Sequence, residues 1–262
     1  MTLFRHEIKR GWKSTLIWSA AIGGFLALCM LLFPPMKDLL KNLDLSEMLG
    51  SMGGSTAEFA MGGTNFGDLK NYYGSEADSI LGLAGAVFAA LLGIGMLAKE
   101  EKGGTAEFLL AHPVTRAQVV TSKLAAMLVQ ITALNIIVYL MGIGSVAVIG
   151  ETVPWREITL LHFAYFVLQA ELACVCFGIS STLWKGGTGV GLGITIAMYC
   201  LNIVAALSDK AKLLKYITPF GYADFSVITT GSIDGVKMLI GVAAAAAGAA
   251  FAYMNYCKKD IR

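Results

Sequence analysis

Long apolar stretches separated by short polar segments dominate this chain, and six are long enough to cross a bilayer. A bilayer core needs roughly 20 consecutive, mostly apolar residues in helical form. Helices are expected because unpaired backbone groups in hydrocarbon are costly. The predicted spans cover residues 15–33, 80–98, 124–149, 160–183, 190–207 and 236–257. They predict an all-α integral membrane fold, with residues 1–262 forming a single transmembrane domain.

Two polar segments carry enough apolar residues to form short amphipathic helices. Residues 2–13 place four apolar side chains at helical spacing among basic ones: Leu3, Phe4, Ile8 and Trp12. This spacing predicts an N-terminal interfacial helix, and an ordinary positively charged flank of the first span is the alternative. Residues 36–78 form the largest external loop, which begins with a short apolar helix and continues into a Gly-rich stretch. The loop fits a flexible connector or a gate over a ligand.

Composition supports the membrane assignment. The chain is 56% hydrophobic and 15% charged, with a mean hydropathy of +0.67, whereas soluble domains are about 25% charged. Such a chain has too few polar side chains to cover a water-facing surface. We expect membrane lipids around it and no nucleic-acid partner.

The distribution of basic residues predicts the orientation of the spans. Twelve of the 20 Lys and Arg residues fall on the side that holds both termini, although the other side has longer loops. Basic residues near span ends favour the cytoplasm. We therefore expect a multi-pass protein of the cell membrane with both termini cytoplasmic.

The loop between the second and third spans is the most informative polar segment. Thr105 is expected to cap a short helix whose first turn carries Glu107, where the helix dipole favours an acid. Three apolar residues follow at 108–110, Pro113 ends the helix, and Thr115 is expected to cap the next one. A short helix with one apolar and one charged side suits a partner's cleft. A plain amphipathic turn against the bilayer is equally compatible.

Few residues in this chain suggest chemistry. No GxxxxGK[ST] phosphate-binding loop occurs, so we expect no ATP site. Three His and five Cys without a CxxC predict neither a metal centre nor a disulfide framework. We predict no catalytic, cofactor-binding or metal-binding residues.

Glu171 stands near the middle of the fourth span, and we find no other acid well inside a predicted span. A charge at that depth costs about 2.5–3.5 kcal/mol, so the side chain should face the bundle or a wet cavity. It is a candidate cargo contact or proton-sensitive gate. Alternatively, it is a structural group bonded to Gln169, Asn135 or Asn202.

The loop at 100–116 resembles the signature of ABC type-2 transporter permeases, the membrane subunits of type-two exporters. In that family a Glu-rich helix end leads to Gly-Thr, an acid, an apolar pair and a Pro-x-x-Arg segment. Residues 214–224, which contain Pro219 and Phe220, and the chain's end at 256–262 are also similar to that family. These matches run from about residue 80 to the C-terminus.

The resemblance implies a more detailed fold and a set of functional residues. It implies six spans preceded by an interfacial helix, a cytoplasmic coupling helix between spans 2 and 3, and short re-entrant outer helices, including Pro219 and Phe220, between spans 5 and 6. The residues implied in ATPase coupling are Glu101, Gly104, Thr105, Glu107, Phe108, Leu109, Leu110, Pro113 and Arg116.

The resemblance also implies a function. The chain would form the translocation path of an ATP-driven exporter, docked on cytoplasmic ABC ATPase subunits and paired with a second permease copy or a homologous permease. ATP and Mg would bind to the ATPase, so this chain would not be an enzyme. A short permease without a fused ATPase suggests a prokaryotic plasma membrane. The alternatives are an autonomous secondary transporter or channel that uses Glu171 and a membrane-bound enzyme.

Overall fold

The computed structural model describes residues 2–42, 67–102, 115–183, 187–207 and 209–258. These residues are mostly helical, and no strand occurs among them. Six helical stretches are long and apolar enough to cross a membrane: Leu3–Leu39, Leu69–Lys99, Arg116–Val148, Trp155–Ser180, Thr188–Leu207 and Gly235–Lys258. The all-α membrane fold with six candidate spans is therefore confirmed.

The first span is one long helix, α1 (Thr2–Leu31), followed by α2 (Phe33–Asn42). Residues 2–13, predicted as an interfacial helix, are the first turns of α1 and not a separate element. Pro34 and Pro35 lie in the first turn of α2, where a missing N–H costs no helical bond. Helix α2 matches the short helix predicted at the start of the external loop, and residues 43–66 of that loop lie outside the described residues.

The second span is longer than its hydropathy suggests. Helix α3 (Leu69–Ala77) leads through a π-helical segment (Asp78–Ala84) into α4 (Gly85–Lys102) without a break. The helix begins at Leu69, ahead of the apolar run at 80–98, and one side of its first turns is buried inside the chain. Tyr73, for example, is 0% exposed.

The third span, α5 (Arg116–Val148), begins at a capping box. The Thr115 hydroxyl accepts a hydrogen bond from the Gln118 N–H at 3.2 Å, and the Gln118 amide oxygen accepts one from the Thr115 N–H at 3.0 Å. This pair satisfies two of the backbone donors that a helix start leaves free. The predicted cap at Thr115 is confirmed.

The last three spans are α6 (Trp155–Ser180), α7 (Thr188–Leu207) and α9 (Gly235–Lys258). Between α7 and α9 the chain forms two 3₁₀ helices, Asp209–Tyr216 and Pro219–Gly221, and the short α8 (Phe225–Ile228). Short helices are thus present where the re-entrant segment is predicted. Their depth in a membrane stays a prediction.

Helix α6 is the centre of the bundle. It packs against α4 on one side and α9 on another, while α1 packs along α5 and α7 packs against α4. Most of α6 and of the second span is buried inside the chain, whereas α7 and α9 expose most of their residues. The described core is therefore built around α6, and α7 and α9 form its outer faces.

Glycines allow the close helix crossings at α6. A Cβ placed on Gly93 of α4 would lie 2.2 Å from the carbonyl oxygen of Ala173, and one on Gly248 of α9 would lie 2.6 Å from that of Cys174. Small residues are expected at membrane helix contacts because they permit close backbone approach. Gly248 of α9 thus permits a close contact with α6, while most of α9 stays exposed.

Replacing Gly93 tests this packing. We expect Gly93→Ala to lower the free energy of unfolding by about 1–3 kcal/mol, because a side chain there overlaps backbone that cannot rotate away. Gly95→Ala is the matched control, since a Cβ at Gly95 meets nothing within 4 Å. The measurement is SDS-induced unfolding in detergent micelles. Equal stability of the two variants would contradict the crossing.

Candidate functional site

The loop that carries most of the predicted coupling residues lies outside the described residues. Gly104, Thr105, Glu107, Phe108, Leu109, Leu110 and Pro113 all fall within 103–114. Glu101 lies in the last turn of α4, and Arg116 is the first residue of α5. The Arg116 guanidinium donates a 3.4 Å hydrogen bond to the carbonyl oxygen of Cys257 near the end of α9. The structure therefore shows how the two flanks of the loop are held.

A buried ion network joins both flanks of this loop to the first helix. Glu7 of α1 is 1% exposed and contacts two lysines. Its Oε1 accepts from Lys123 Nζ of α5 at 2.7 Å, and its Oε2 accepts from Lys99 Nζ of α4. Lys123 is fully buried, and the Lys99 side chain is 25% exposed. We define Glu7, Lys99 and Lys123 as the ion network.

Physical chemistry explains why these charges come together. A buried charge is tolerated when it is paired and hydrogen-bonded, and removing one partner typically costs 3–5 kcal/mol. The carboxylate offers one oxygen to each lysine, so α4 and α5 must both approach α1 at the level of Glu7. The network consequently sets how the two helices that flank residues 103–114 are spaced.

Beyond the ion network, toward the C-terminal end of α1, the helices α1 and α5 continue to contact each other through small and polar side chains. The Thr15 hydroxyl bonds to Gln130 Oε1 at 3.2 Å, and Gly11 leaves room for the Gln130 amide. Further along the same seam, Gly23 of α1 lies against Met141. The buried face of α1 thus carries Glu7, Thr15 and Ser19 before it becomes apolar at Ile22.

Sequence reasoning missed the ion network. Glu7 and Lys99 counted there only as charges, and Lys123 only as a charge and as the Lys that follows the Pro-x-x-Arg segment in the family resemblance. One signal was available: Glu7 lies eight residues before Thr15, on the helix face that continues through Ser19 and Ile22. An acid on the inward stripe of a membrane helix predicts a buried cationic partner.

A second group of polar side chains follows α6 through the bundle. The Tyr73 hydroxyl and His162 Nε2 lie 2.7 Å apart, and the Tyr165 hydroxyl donates to Asp78 Oδ1 at 2.9 Å. The Gln169 amide accepts from Asn135 Nδ2 at 2.7 Å and donates to the carbonyl oxygen of Leu81 at 3.3 Å. We call these contacts of His162, Tyr165 and Gln169 the α6 polar stripe. It connects α6 to α3, to the π-helical segment and to α5.

The stripe includes a second acid besides Glu171. Asp78 lies in the unbroken helical stretch that begins at Leu69, just before the predicted start of the second span at residue 80. Asp78 was assigned to the external loop because its neighbours are polar. It is also the first residue of the π-helical segment, a geometry that often marks functional positions in helices.

The stripe also leaves polar atoms unpaired. Asn135 Oδ1 and His162 Nδ1 are buried without a hydrogen-bond partner among the described residues. Both side chains line a cavity of about 250 Å³ between α5 and α6.

Glu171 faces a different neighbour from those expected. Its Oε2 accepts a 2.9 Å hydrogen bond from the Tyr222 hydroxyl, and the residue is 7% exposed. The proposed partners Gln169 and Asn135 bond to each other instead. Gly241 of α9 allows the approach, since a Cβ there would lie 2.3 Å from Glu171 Oε2. Burial first, and then the nearby Glu171 carboxyl, raises the pKa of Tyr222, so this phenol stays protonated and donates.

The segment that supplies Tyr222 is anchored at Pro219 and Phe220. Both are buried, and the Thr218 hydroxyl donates to the carbonyl oxygen of Met198 at 2.8 Å. Phe220 packs edge-on against Tyr199, with 5.3 Å between ring centroids. The predicted re-entrant residues therefore hold Tyr222 against α6.

No group of three or more His, Cys, Asp or Glu side chains in the described part of the chain is arranged to hold a metal ion. The polar groups instead pair with one another across helices.

Replacing Glu7 tests the ion network. We expect Glu7→Gln to lower the free energy of unfolding by about 3–5 kcal/mol, because the buried Lys123 loses the carboxylate charge that it contacts at 2.7 Å. The double variant Glu7→Gln with Lys123→Met should recover much of that loss. Glu157→Gln, in the first turn of α6, is the matched control. A loss no larger than in the control would show that Glu7 is solvated and unpaired.

A double-mutant cycle tests the Glu171–Tyr222 contact. We expect a coupling free energy of about 1–3 kcal/mol between Glu171→Gln and Tyr222→Phe, since the hydroxyl donates to a buried carboxyl group. Tyr253→Phe supplies the control cycle, because Tyr253 bonds to Thr121 and not to Glu171. Unfolding in SDS titrations gives each free energy. Strict additivity in both cycles would rule the contact out.

The comparisons with known proteins agree with this architecture. The family model described as "ABC-2 family transporter protein" matches residues 1–261. No curated protein matches this chain. Members of the family are transmembrane components of ABC transporters, work with ABC ATPase partners and are not themselves the ATPase. With six candidate spans and a family match over nearly its whole length, this chain is a multi-pass membrane protein that belongs to the ABC-2 transporter family.

Proposed function

We propose that this chain forms the translocation path of an ABC exporter and couples it to a separate cytoplasmic ATPase through residues 101–116. The observation that carries the proposal is the family match over residues 1–261. The ATPase subunit binds ATP with Mg, and this chain contributes no cofactor site. A second permease, identical or homologous, completes the path, and lipids of a prokaryotic plasma membrane surround it. Both termini are cytoplasmic in this arrangement.

The ion network supports the coupling role of the loop. Residues 103–114 join α4 to α5, and both helices are tied to Glu7 at their loop-facing ends. Arg116 adds a contact to the end of α9. A displacement of the loop by an ATPase therefore moves α1, α4 and α5 as one body. The specific coupling residues Glu101, Gly104, Thr105, Glu107, Phe108, Leu109, Leu110, Pro113 and Arg116 are part of this proposal.

The second span then carries the displacement toward the other side of the bundle. The helical stretch from Lys102 back to Leu69 is unbroken, and its π-helical segment meets α6 at Asp78 and at the Leu81 carbonyl. A shift of α4 along its axis strains these two hydrogen bonds first. In this mechanism the α6 polar stripe is the element that responds to the ATPase.

Glu171 contributes a second, structural part of the mechanism. Its bond to Tyr222 holds residues 218–223 against α6, at the side of the bundle where cargo leaves. Gly241 keeps α9 close to the same point. We assign to Glu171 the role of holding residues 218–223, the outer segment, against α6. Pro219 and Phe220 determine the conformation of this segment.

Charging the apolar part of the loop tests the docking assignment. We expect Phe108→Asp with Leu109→Asp to abolish co-purification of the ATPase in mild detergent, because the change removes the apolar anchors. Met36→Asp with Leu39→Asp adds the same charge to exposed positions of α2 and should leave co-purification intact. Mass spectrometry of the tagged chain's partners gives the readout, and thermal unfolding confirms that each variant is folded. Unchanged recovery of a Walker-motif protein with the loop variant would refute the assignment.

A further inference from the structure

The two unpaired atoms of the α6 polar stripe belong to side chains that line one recess in the bundle. It lies between α5 and α6 and has a volume of about 250 Å³. Its lining includes Asn135, Ile136, Tyr139, His162, Phe163 and Phe166. We propose that this recess binds an uncharged amphiphile from the membrane, whose hydroxyl or amide group bonds to Asn135 and His162 and whose apolar part lies against Phe163 and Phe166. The inference does not depend on the proposed transport function.

Asn135 supplies an unused hydrogen-bond acceptor. The residue is 7% exposed, and its amide nitrogen donates to Gln169 Oε1 at 2.7 Å and to the carbonyl oxygen of Ile131 at 2.9 Å. These two bonds fix the orientation of the amide group and leave Oδ1 without a partner among the described residues. Buried polar atoms are normally hydrogen-bonded, so each exception needs an explanation.

His162 supplies an unused hydrogen-bond donor. The residue is 5% exposed, and its Nε2 lies 2.7 Å from the Tyr73 hydroxyl. In a neutral imidazole one nitrogen donates and the other accepts. If Nε2 donated, the fully buried Tyr73 hydroxyl would have no acceptor for its own proton in the described part of the chain. The pairing that leaves fewer groups unsatisfied has Tyr73 donating to Nε2, which places the ring proton on Nδ1.

The rest of the lining suits an uncharged, apolar molecule. No Asp, Glu, Lys or Arg is found among the described residues that line the recess, so a charged ligand would stay unpaired there. Phe163 and Phe166 offer aromatic faces, and the Tyr139 hydroxyl is already bonded to Thr159 at 2.8 Å. An apolar cavity of about 150 Å³ holds benzene. The recess therefore has room for a ring or short chain together with one polar group.

The position of the recess indicates that its ligand comes from the membrane. Asn135 lies near the middle of α5, which is long enough to cross a bilayer. Ile136 and Phe163 are about half exposed and form the rim, at 53% and 47%. The two polar atoms lie beneath this rim, so the ligand reaches them when the rim side chains change rotamer, as is common on binding. An acyl chain can fill the apolar part but cannot satisfy the two polar atoms.

Two matched probes test the proposal. The protein is reconstituted into phosphatidylcholine nanodiscs, and binding of para-fluorobenzyl alcohol and of para-fluorotoluene is measured by fluorine NMR. The probes share one ring, and only the alcohol can donate and accept hydrogen bonds. At equal concentration in the bilayer, we expect the alcohol to bind about tenfold more tightly, as two net hydrogen bonds supply.

Nitrogen NMR of His162 tests where the alcohol binds. The chain has three His residues, so replacing His6 and His112 with Gln leaves His162 as the only labelled imidazole. We expect the alcohol to shift the Nδ1 resonance and fluorotoluene to leave it in place. A role of His162 that is only structural would give no such difference between the two probes.

Three variants separate the recess from general partitioning into the bundle. Ile136→Trp fills the recess from its exposed rim and should abolish binding of both probes. Leu140→Trp adds the same bulk to an exposed position of α5 outside the recess and should change neither affinity. Asn135→Leu removes the acceptor, so it should keep fluorotoluene binding and bring the preference for the alcohol close to one.

Four outcomes would overturn the proposal. Equal affinity for the two probes, or binding of neither, would show that the unpaired atoms recruit no ligand. Binding that survives Ile136→Trp, or that is lost in Leu140→Trp, would place the probes elsewhere. A preference for the alcohol that persists in Asn135→Leu would remove the amide from the site. A change of oligomeric state in Ile136→Trp would make the recess an interface between copies of the chain. The nanodiscs contain no ATPase, so each of these results leaves the coupling proposal untouched.

Discussion

The burial of Glu7 constrains the whole loop-bearing end of the bundle. A carboxylate that is 1% exposed needs donors or cations at its oxygens, and the chain supplies one lysine from α4 and one from α5. Such a triad adds little net stability, because the desolvation of three charges offsets much of their attraction. Its effect is on geometry. Any relative position of α1, α4 and α5 that separates Glu7 from the two lysines breaks these ion pairs, which raises the free energy of the folded state.

The pairing of buried polar groups also explains why α6 lies at the centre of the helix bundle. Each polar group on this helix finds its partner on a different element: His162 on α3, Tyr165 on the π-helical segment, and Glu171 on the outer segment. Glycines at 93, 241 and 248 remove the side chains that would keep α4 and α9 away from α6. Hydrogen bonds set the register of the neighbours of α6, and glycines set their distance. Hydrogen bonds and glycines are both needed. Without the glycines the helices would be too far apart for short hydrogen bonds, and long hydrogen bonds are weak. Without the hydrogen bonds, a close helix crossing has no preferred register.

How much of the structure the sequence could predict depends on which interactions join residues that are close together in the chain. Hydropathy predicted six spans because each apolar run indicates burial in lipid or protein, whichever helices pack around it. The Thr115 cap was predictable because its partner, Gln118, lies only three residues away. The helix of the second span begins at Leu69, ahead of the apolar run at 80–98, and its polar Tyr73 and Asp78 bond to residues of α6. The partner of Glu171 was missed because Tyr222 lies 51 residues away. The coupling residues at 103–114 stay a prediction, whereas the helices that hold them are described.

The π-helical segment explains how a motion of the loop can reach α6 without unfolding the helix bundle. Helix α4 is held at its loop end by Lys99, and α3 is held at the other end by Tyr73. Between them lie seven residues, Asp78–Ala84, whose wider turns are less regular than those of the flanking α-helix. Bending concentrates where the backbone ladder departs from the α-helical pattern. In the proposed transporter, a push on α4 is therefore absorbed at this segment, where Asp78 and the Leu81 carbonyl bond to α6. The two hydrogen bonds that sense the motion lie on the part of the helix best able to move.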